Sequence, residues 1–328
     1  MIMKTQTTKK ICMLASGGDA QGMNACMESI FNYAASLGWE VWVSPYGYDG
    51  LVRDEVMLAT RERCTNISHL AGCVYKCSRS PEFKTDDGKK KAAETCRRHA
   101  FDAVIAIGGN GTLAGLENFT KATGINVIGI PATVDNDCYY TNNALGFSSA
   151  VEAVVRYIDQ IKPTMQTNER NFLLEVMGKG SSEIAISAGI AGFANLVDRS
   201  ESRFTVGQIA EIFNTQRQKG NKSCMALLEE HRSDTSSLLD NIKAATEGEV
   251  RFERAYYYQR GAAPSARDRF LGAHYGVMAV DLVRDGKFGV AVGMLNDYLI
   301  TVKLEEANKA KPKFNSVNYN LLNKISNW

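Results

Sequence analysis

The chain has 328 residues, of which 45% are hydrophobic and 23% are charged, and its formal net charge at pH 7 is +2. This composition is typical of a globular protein, and the length predicts about two domains of ~150 residues each. The balanced charge argues against nucleic acid or an anionic membrane surface as a partner, because both require a basic field. No apolar run reaches the ~18 residues of a membrane span and no signal peptide is recognisable, so we expect a cytoplasmic protein.

Short apolar runs alternate with longer segments of helical periodicity along the chain. This alternation indicates right-handed βαβ units, and therefore mainly parallel sheets with helices on both faces. Ligands of such sheets bind at the carboxyl ends of the strands, so the loops that follow strands are the informative ones. The predicted strands are 11–15, 103–107, 126–130, 172–176 and 224–228, and the predicted helices are 23–37, 148–161 and 275–283.

Two glycine-rich loops follow the first two predicted strands. Gly-Gly-Asp stands at 17–19, and Gly-Gly-Asn-Gly-Thr stands at 108–112. Closely spaced glycines let backbone N–H groups approach an anion, and a following helix adds its positive end. The second loop is neither a Walker A loop nor the dinucleotide motif, but we interpret it as a phosphate-binding loop with Thr112 as a hydroxyl donor. A plain tight turn remains an alternative for either loop alone.

The third predicted strand is followed by Pro-Ala-Thr-Val-Asp-Asn-Asp at 131–137. Asp135 and Asp137 are two residues apart, so their carboxylates should point in different directions. One can accept a hydroxyl proton while the other faces a metal, which is what phosphoryl transfer to an alcohol requires. For this loop alone, an Asx-rich turn that caps a helix is an equally good interpretation.

The three loops in this order, with Glu-Val-Met-Gly at 175–178 and Gln-Arg-Gly at 259–261, resemble the phosphofructokinase family over about residues 10–309. The resemblance implies the phosphofructokinase fold: two doubly wound α/β domains with mainly parallel sheets and the active site in the cleft between them. It implies a nucleotide-binding domain at 1–146 plus about 259–309. The sugar-phosphate-binding domain would be 147–258 plus about 310–328.

The resemblance also implies roles for single residues. Asp135 would be the base that takes the proton from the 1-hydroxyl of fructose 6-phosphate, Thr133 would lie beside the transferred phosphoryl group, and Asp137 would lie near the metal. Lys179 stands where the family has an arginine, and it would contribute positive charge to catalysis. The positions that match the sugar-phosphate site are Arg170, Met177, Gly178, Glu230, Arg251, Tyr257 and Arg260.

On the nucleotide side, the resemblance implies ATP with Mg²⁺. Asn110, which replaces a family aspartate, and Asp137 would be the metal ligands, with Asn110 the weaker because its amide oxygen is neutral. Family members that use pyrophosphate carry Asp at the position of Gly111 and Lys at that of Ala132, so the small residues here favour ATP. The expected nucleotide-binding residues are Gly18, Tyr48, Arg79, Gly109, Asn110, Gly111, Thr112 and Gly115.

We therefore expect an ATP-dependent 6-phosphofructokinase of glycolysis. In the family, the arginines that match Arg170 and Arg251 come from a neighbouring subunit, so a homotetramer is expected. Departures at Asn110, Ser80, Lys76-Cys77, Lys179 and Tyr257 leave two alternatives open. One is a pseudo-kinase that binds sugar phosphate as a regulatory or structural subunit. The other is a kinase for a related sugar phosphate such as sedoheptulose 7-phosphate.

The resemblance bears on regulation as well. Bacterial family members bind ADP or phosphoenolpyruvate at an interface that includes two arginines on the helix after the first glycine loop. Glu28 and Asn32 stand at those positions here, and Arg61 matches a third basic position. Because Glu28 reverses the charge, we expect this effector site to be absent or changed.

Overall fold

The computed structural model of the chain describes residues 8–230, 235–310 and 316–326. These residues form two compact units. The first unit contains residues 8–149 and 263–310, and the second contains 150–230, 235–262 and 316–326. The expected domain limits at 146, 258 and 309 lie within about four residues of these divisions, while the assignment of one ligand to each domain stays a prediction.

The strands carry long runs of apolar residues, because a parallel sheet that is covered on both faces buries every side chain. All six residues of the strand Ala103–Gly108 are buried. The five predicted strands are all present, with ends that differ by one residue. In chain order the strands are β1 Lys10–Ala15, β2 Glu40–Ser44, β3 Met57–Leu58, β4 Ala103–Gly108, β5 Val127–Pro131, β6 Asn171–Val176, β7 Leu196–Asp198, β8 Met225–Glu229, β9 Val250–Arg254, β10 Val290–Leu295 and β11 Tyr298–Lys303.

The three predicted helices are also present, and two of them are longer than predicted. No helix in the described part of the chain combines the length and apolar character that crossing a bilayer needs. In chain order the helices are α1 Met23–Ser36, α2 Tyr48–Val52, α3 Arg61–Cys64, α4 Asp86–Arg98, α5 Asn110–Thr123, α6 Phe147–Thr167, α7 Glu183–Ala191, α8 Val206–Gln218, α9 Thr235–Ala245, α10 Tyr258–Gly261, α11 Ala266–Arg284, α12 Leu304–Lys309 and α13 Ser316–Ser326.

Each unit is built around one sheet. The sheet of the first unit has the order β11-β10-β5-β4-β1-β2-β3, and only the edge strands β3 and β11 are antiparallel to their neighbours. The sheet of the second unit has the order β7-β8-β6-β9 and is parallel throughout. The α/β class and mainly parallel sheets predicted from the sequence are confirmed.

Close packing of α11 against α1 fixes the position of the first glycine loop. A side chain at Gly272 would lie 2.9 Å from the carbonyl oxygen of Gly22, and one at Gly276 would lie 2.7 Å from that of Cys26. Both distances are shorter than real Cβ contacts, so glycine is required at these positions for the two helix backbones to meet. Helix α1 begins directly after the first glycine loop, and the packing of α11 against its first turns therefore fixes where it starts.

Candidate active site

Three neighbouring strands of the first unit, β5, β4 and β1, end at the same edge of the sheet. Their following loops are joined by backbone hydrogen bonds: Ser16 N–H donates to the Ile107 carbonyl at 3.0 Å, and Ala132 N–H donates to the Gly108 carbonyl at 2.9 Å. The three loops that the sequence singled out are therefore brought together, as the parallel sheet requires.

The amino terminus of α5 lies at the centre of this edge. Its first residue is Asn110, and the N–H groups of Thr112 and Leu113 both donate to the Gly109 carbonyl, at 2.9 and 3.1 Å. The N–H groups of Asn110 and Gly111 have no protein acceptor within the described residues. A helix start with unpaired N–H groups is a ready site for phosphate, so the glycine loop at 108–112 has the geometry of a phosphate-binding loop.

Gly108 is held between the first two loops. A side chain there would meet Thr112 Oγ1 at 2.4 Å and the Ser16 carbonyl oxygen at 2.5 Å, so only glycine fits.

The structure also corrects the role expected for Thr112. This residue is buried, and its hydroxyl donates to the Ser16 carbonyl at 3.0 Å. Its single proton therefore joins two loops of the protein, and it is not offered to a phosphate.

Tyr48 also has a different environment from the one expected of a nucleotide contact. Its ring is buried and stacks on Phe83, with the ring centroids 3.9 Å apart and the planes 5° from parallel. Its hydroxyl donates to the Thr112 carbonyl at 2.8 Å, and burial raises the pKa of the phenol. Tyr48 thus supports α5 from inside the core. A Cβ added at Gly115 would lie 3.5 Å from each of the two rings, which is an ordinary contact distance.

The loop after β5 holds the two acidic residues. Asp135 is 9% exposed, and its N–H donates to Thr133 Oγ1 at 3.2 Å. Thr133 thereby accepts one hydrogen bond, and its own hydroxyl proton is not used in that bond. Gly109 lies close to this loop, since an added Cβ would be 3.4 Å from Thr133 Cβ. The phosphate-binding loop and the proposed base are therefore neighbours.

Asn136, which the sequence analysis did not assign to the site, holds this loop in shape. It has a left-handed backbone with φ of 51°. Its side-chain amide donates to the Asn142 carbonyl at 3.0 Å and accepts from Ala144 N–H at 2.9 Å. Asparagine tolerates the left-handed conformation better than most residues. The left-handed turn at Asn136 lies between Asp135 and Asp137, and the different directions expected for their carboxylates stay a prediction.

Asp137 and Asn110 offer oxygens that fit a divalent cation. Asp137 Oδ1 is buried and has no hydrogen-bond partner among the described residues. The side-chain NH₂ of Asn110 donates to the Asp137 carbonyl at 2.9 Å, which leaves the amide oxygen of Asn110 for a ligand. No group of three or more His, Cys, Asp or Glu in the described ranges could hold a metal by itself. A divalent cation held by Asp137 and Asn110 would need further oxygen ligands, such as those of a bound phosphate.

The remaining nucleotide-side residues lie on exposed loops. The N–H of Gly17 donates to the Ser78 carbonyl at 2.9 Å, which ties the first glycine loop to the segment that carries Arg79. Gly18 and Arg79 are exposed, and the Arg79 guanidinium has no protein partner within the part of the chain described. A free guanidinium beside a glycine loop suits a phosphate, which it binds through forked donors.

In the second unit, the ends of β6 and β8 bring part of the predicted sugar site together. Glu230 Oε1 accepts hydrogen bonds from the N–H groups of Gly178 and Lys179, at 3.3 and 3.1 Å. Met177 N–H donates to Gln259 Oε1 at 3.3 Å. Gln259 is fully buried and was quoted in the sequence only as part of a motif. Its neighbour Arg260 lies on the short helix α10.

Arg170 and Arg251 lie at the opposite end of that sheet. Arg170 immediately precedes β6, and Arg251 is the second residue of β9. Both guanidinium groups pair with the carboxylate of Glu249. Met177 follows the other end of β6, so the length of a six-residue strand, about 20 Å, separates it from Arg170. Within one chain, these two arginines therefore lie away from the other residues that are expected to bind the sugar phosphate. Tyr257 is 78% exposed.

Comparison with known proteins shows the family to which the chain belongs. A family model described as phosphofructokinase matches residues 10–283. An ATP-dependent 6-phosphofructokinase of Clostridioides difficile is 33% identical over 318 residues, which cover 97% of this chain and 99% of that protein. One from Histophilus somni is 35% identical over 292 residues, 89% of this chain and 91% of that protein. The chain belongs to the phosphofructokinase family.

Solved phosphofructokinase structures share the fold. The phosphofructokinase of Saccharomyces cerevisiae matches with a TM-score of 0.86 and 24% identity, over 97% of this chain and 48% of that longer chain. A pyrophosphate-dependent phosphofructokinase of Marinobacter aquaeolei matches with a TM-score of 0.83 and 22% identity, over 93% of this chain and 85% of that one. The predicted phosphofructokinase fold is thus confirmed.

Proposed function

We propose that this chain is an ATP-dependent 6-phosphofructokinase, a phosphotransferase that moves the γ-phosphoryl group of ATP to the 1-hydroxyl of fructose 6-phosphate. The observation that carries the proposal is the meeting of two loops. Asp135 lies in a turn held by Thr133, and Thr133 lies against Gly109 at the unpaired start of α5. A base for an alcohol and a binding site for phosphate are therefore adjacent, and the relatives named above carry the same activity in their names.

In this reaction, the Asp135 carboxylate accepts the proton of the sugar 1-hydroxyl while the hydroxyl oxygen attacks the γ-phosphorus. The bond from the γ-phosphorus to the bridging oxygen breaks, and ADP leaves. The N–H groups of Asn110 and Gly111 and the hydroxyl of Thr133 stabilise charge on the phosphoryl oxygens. Mg²⁺, when bound, neutralises the phosphates, and Asp137 and Asn110 would hold it. The separation of Asp135 from Asp137 by the left-handed turn at Asn136 keeps proton transfer and metal binding on different carboxylates.

The space beside α5 supports ATP as the donor. A Cβ added at Gly111 would meet no atom within 4 Å, and Ala132 is buried and small. The pyrophosphate users that the sequence resembles place Asp and Lys at these positions, where the side chains would occupy room that a nucleotide needs. Glycine and alanine keep that room open here.

The residues expected to bind the sugar phosphate lie at both ends of the sheet in the second unit, and this distribution supports an oligomer as the active form. A phosphate bound near Met177 lies beyond the reach of Arg170 and Arg251 in the same chain, because about 20 Å of strand intervenes. These arginines act on the site of a neighbouring subunit in the proposed assembly, a homotetramer with shared sugar sites. Their common partner Glu249 holds both in place until a phosphate is present.

A coupled assay tests the proposal. Purified protein receives fructose 6-phosphate and Mg²⁺ with ATP, ADP or pyrophosphate as donor, and fructose 1,6-bisphosphate is measured. We expect turnover with ATP at least tenfold faster than with either other donor. Product formation that requires pyrophosphate would overturn the choice of donor. No product with any donor, together with tight sugar-phosphate binding, would favour the pseudo-kinase alternative.

A further inference from the structure

Glu229, the last residue of β8, is a buried carboxylate that the proposed mechanism does not use. Its side chain is fully buried and accepts hydrogen bonds on both oxygens. Oε1 accepts from Gly180 N–H at 2.6 Å, and Oε2 accepts from Ser200 N–H at 2.9 Å and from the Ser182 hydroxyl. It forms no ion pair with a cation of the described residues. Three dipolar donors thus replace the water that a carboxylate loses on burial.

The segment that Glu229 holds is conformationally unfavourable. Lys179 has φ of 48°, Gly180 has φ of 86° and Ser182 has φ of 54°. A left-handed backbone is disfavoured for lysine and serine, and such conformations persist where surrounding contacts fix them. A side chain at Gly178 would lie 3.2 Å from Glu229 Cγ, so the segment and the carboxylate are in close contact.

The backbone that carries Glu229 is itself held by Arg203. The guanidinium donates to the carbonyl oxygens of Glu229 and Glu230, at 2.9 and 3.1 Å. It also donates to the carboxylate of Asp198, which is fully buried, at 2.9 Å. Arg203 therefore fixes the point from which Glu229 reaches the segment 178–182.

We propose that Glu229 is a positioning residue for the sugar-phosphate site. Through the amide of Gly180 it holds Lys179 in the left-handed conformation, and this fixes where the lysine side chain leaves the backbone. Lys179 is exposed, and its ammonium contacts no described residue, so its approach to a phosphate depends on the backbone that carries it. The inference rests on the proposed function, and it assigns Lys179, together with the adjacent Gly178, to the binding of the sugar phosphate in place of the catalytic contribution that the resemblance implied for the lysine.

The first test compares Glu229→Gln with Glu201→Gln. Glutamine keeps the size of glutamate but replaces one accepting oxygen with NH₂, which cannot accept from Gly180 or Ser200. The Glu201 carboxylate is exposed and lies 3.0 Å from the same Ser182 hydroxyl, so Glu201→Gln removes an equal charge without releasing a backbone amide. We expect Glu229→Gln to raise KM for fructose 6-phosphate about tenfold and to leave KM for ATP within about twofold. The control variant Glu201→Gln should leave both KM values unchanged.

A second comparison separates positioning from general damage. In a Lys179→Ala background, Glu229→Gln should add less than about twofold to the loss of sugar-phosphate binding, because the group it positions is gone. Equal effects in both backgrounds, or an effect on kcat alone, would overturn the proposal. Should Glu229→Gln fail to fold, Ser182→Ala removes one of the three donors and should raise the same KM about threefold. An unchanged KM in that variant would count against the proposal.

Hydrogen exchange at the Gly180 amide tests whether Glu229 holds the segment 178–182 without a measurement of enzyme activity. The Gly180 amide should be protected in the wild type and lose at least tenfold of its protection in Glu229→Gln. If the wild type neither binds nor phosphorylates fructose 6-phosphate, the proposed function fails. Loss of protection would then still support the holding of the segment by Glu229, and unchanged protection would overturn it.

Discussion

The side-chain NH₂ of Asn110 donates a hydrogen bond of 2.9 Å to the backbone carbonyl of Asp137. This contact joins the phosphate-binding helix α5 to the loop that carries both acidic residues. An aspartate at position 110 has no donor and would not form it. Asn110 is therefore a link between the two loops as well as a proposed metal ligand.

Asn110→Asp should strengthen metal binding and weaken the link. A carboxylate is a better ligand for a hard cation than an amide, so the Mg²⁺ concentration at half-maximal rate should fall about threefold to tenfold and turnover should rise. Loss of the hydrogen bond, about 1 kcal/mol, should lower the melting temperature by a few degrees. Magnesium titration of the rate and a thermal melt measure the two effects.

Asn118→Asp is the matched control for that change, because Asn118 is an exposed residue of the same helix. It adds the same charge away from the two loops and should leave the magnesium requirement unchanged. An unaltered or higher magnesium requirement in Asn110→Asp would show that Asn110 does not lie at the metal.

Gly111→Asp should weaken ATP binding without disturbing the fold. A Cβ added at Gly111 meets nothing within 4 Å in the protein. The carboxylate of the new side chain would lie beside the phosphates and repel them. We expect KM for ATP to rise about tenfold, while KM for fructose 6-phosphate stays within twofold. Steady-state kinetics with each substrate varied in turn measure both constants.

Gly207→Asp provides the corresponding control in the other unit. Gly207 is the second residue of α8, as Gly111 is the second residue of α5, and it is exposed. This variant should have the kinetics of the wild type. Equal ATP constants for Gly111→Asp and the wild type would place the nucleotide away from the start of α5.

The shared sugar site should allow complementation between subunits. Asp135→Asn removes the base, and Arg251→Ala removes an arginine that lies far from Met177 in its own chain. Mixed oligomers of the two inactive variants should recover part of the wild-type rate, because some sites then receive an intact residue from each subunit. A mixture of Asp135→Asn with Thr133→Ala should recover nothing, since both residues belong to one loop. Failure of the first mixture in proven hybrids would mean that each site is built within one chain.

Millimolar ADP or phosphoenolpyruvate should not regulate the activity beyond competition at the donor site. The Glu28 carboxylate accepts from Asn66, Ile67 and Ser68 N–H groups, at 2.8, 3.0 and 2.8 Å. These three amides, which face the position where the sequence predicted a lost effector site, already bind an anionic group of the protein. Calorimetry that detects phosphoenolpyruvate bound beside Glu28 would contradict this expectation.

The sequence predicted five of the eleven described strands, each to within one residue at its ends, because these five are short, continuous apolar runs. It placed the start of the late helix at 275 instead of 266, because the first turn of α11 is polar. Ser265 caps that turn by accepting from Asp268 N–H at 3.1 Å, and the buried Asp268 accepts from Gly146 and Ser149 N–H groups at the start of α6. The Ser-x-x-Asp spacing was a readable signal for the first contact, while the second depends on tertiary structure.

The candidate site likewise has features that the sequence predicted and features that depend on tertiary structure. Motifs identified which loops meet, since their order along the sheet follows from the parallel strands. They did not show which side chains are used internally. Tyr48 and Thr112 matched nucleotide positions, yet the structure buries both and joins them through the hydrogen bond from the Tyr48 hydroxyl to the Thr112 carbonyl. Glu229 carried no motif, and its role depends on contacts with Gly180 and Ser200 that only the folded chain brings about.

The most direct test of the account is the activity of Asp135→Asn, measured together with its sugar-phosphate binding. The variant keeps the size of the side chain and removes the group that accepts the proton. We predict that kcat falls about 10²- to 10⁴-fold while the dissociation constant for fructose 6-phosphate changes less than about threefold. Near-normal turnover by Asp135→Asn would contradict the assignment of Asp135 as the base, and with it the proposed mechanism.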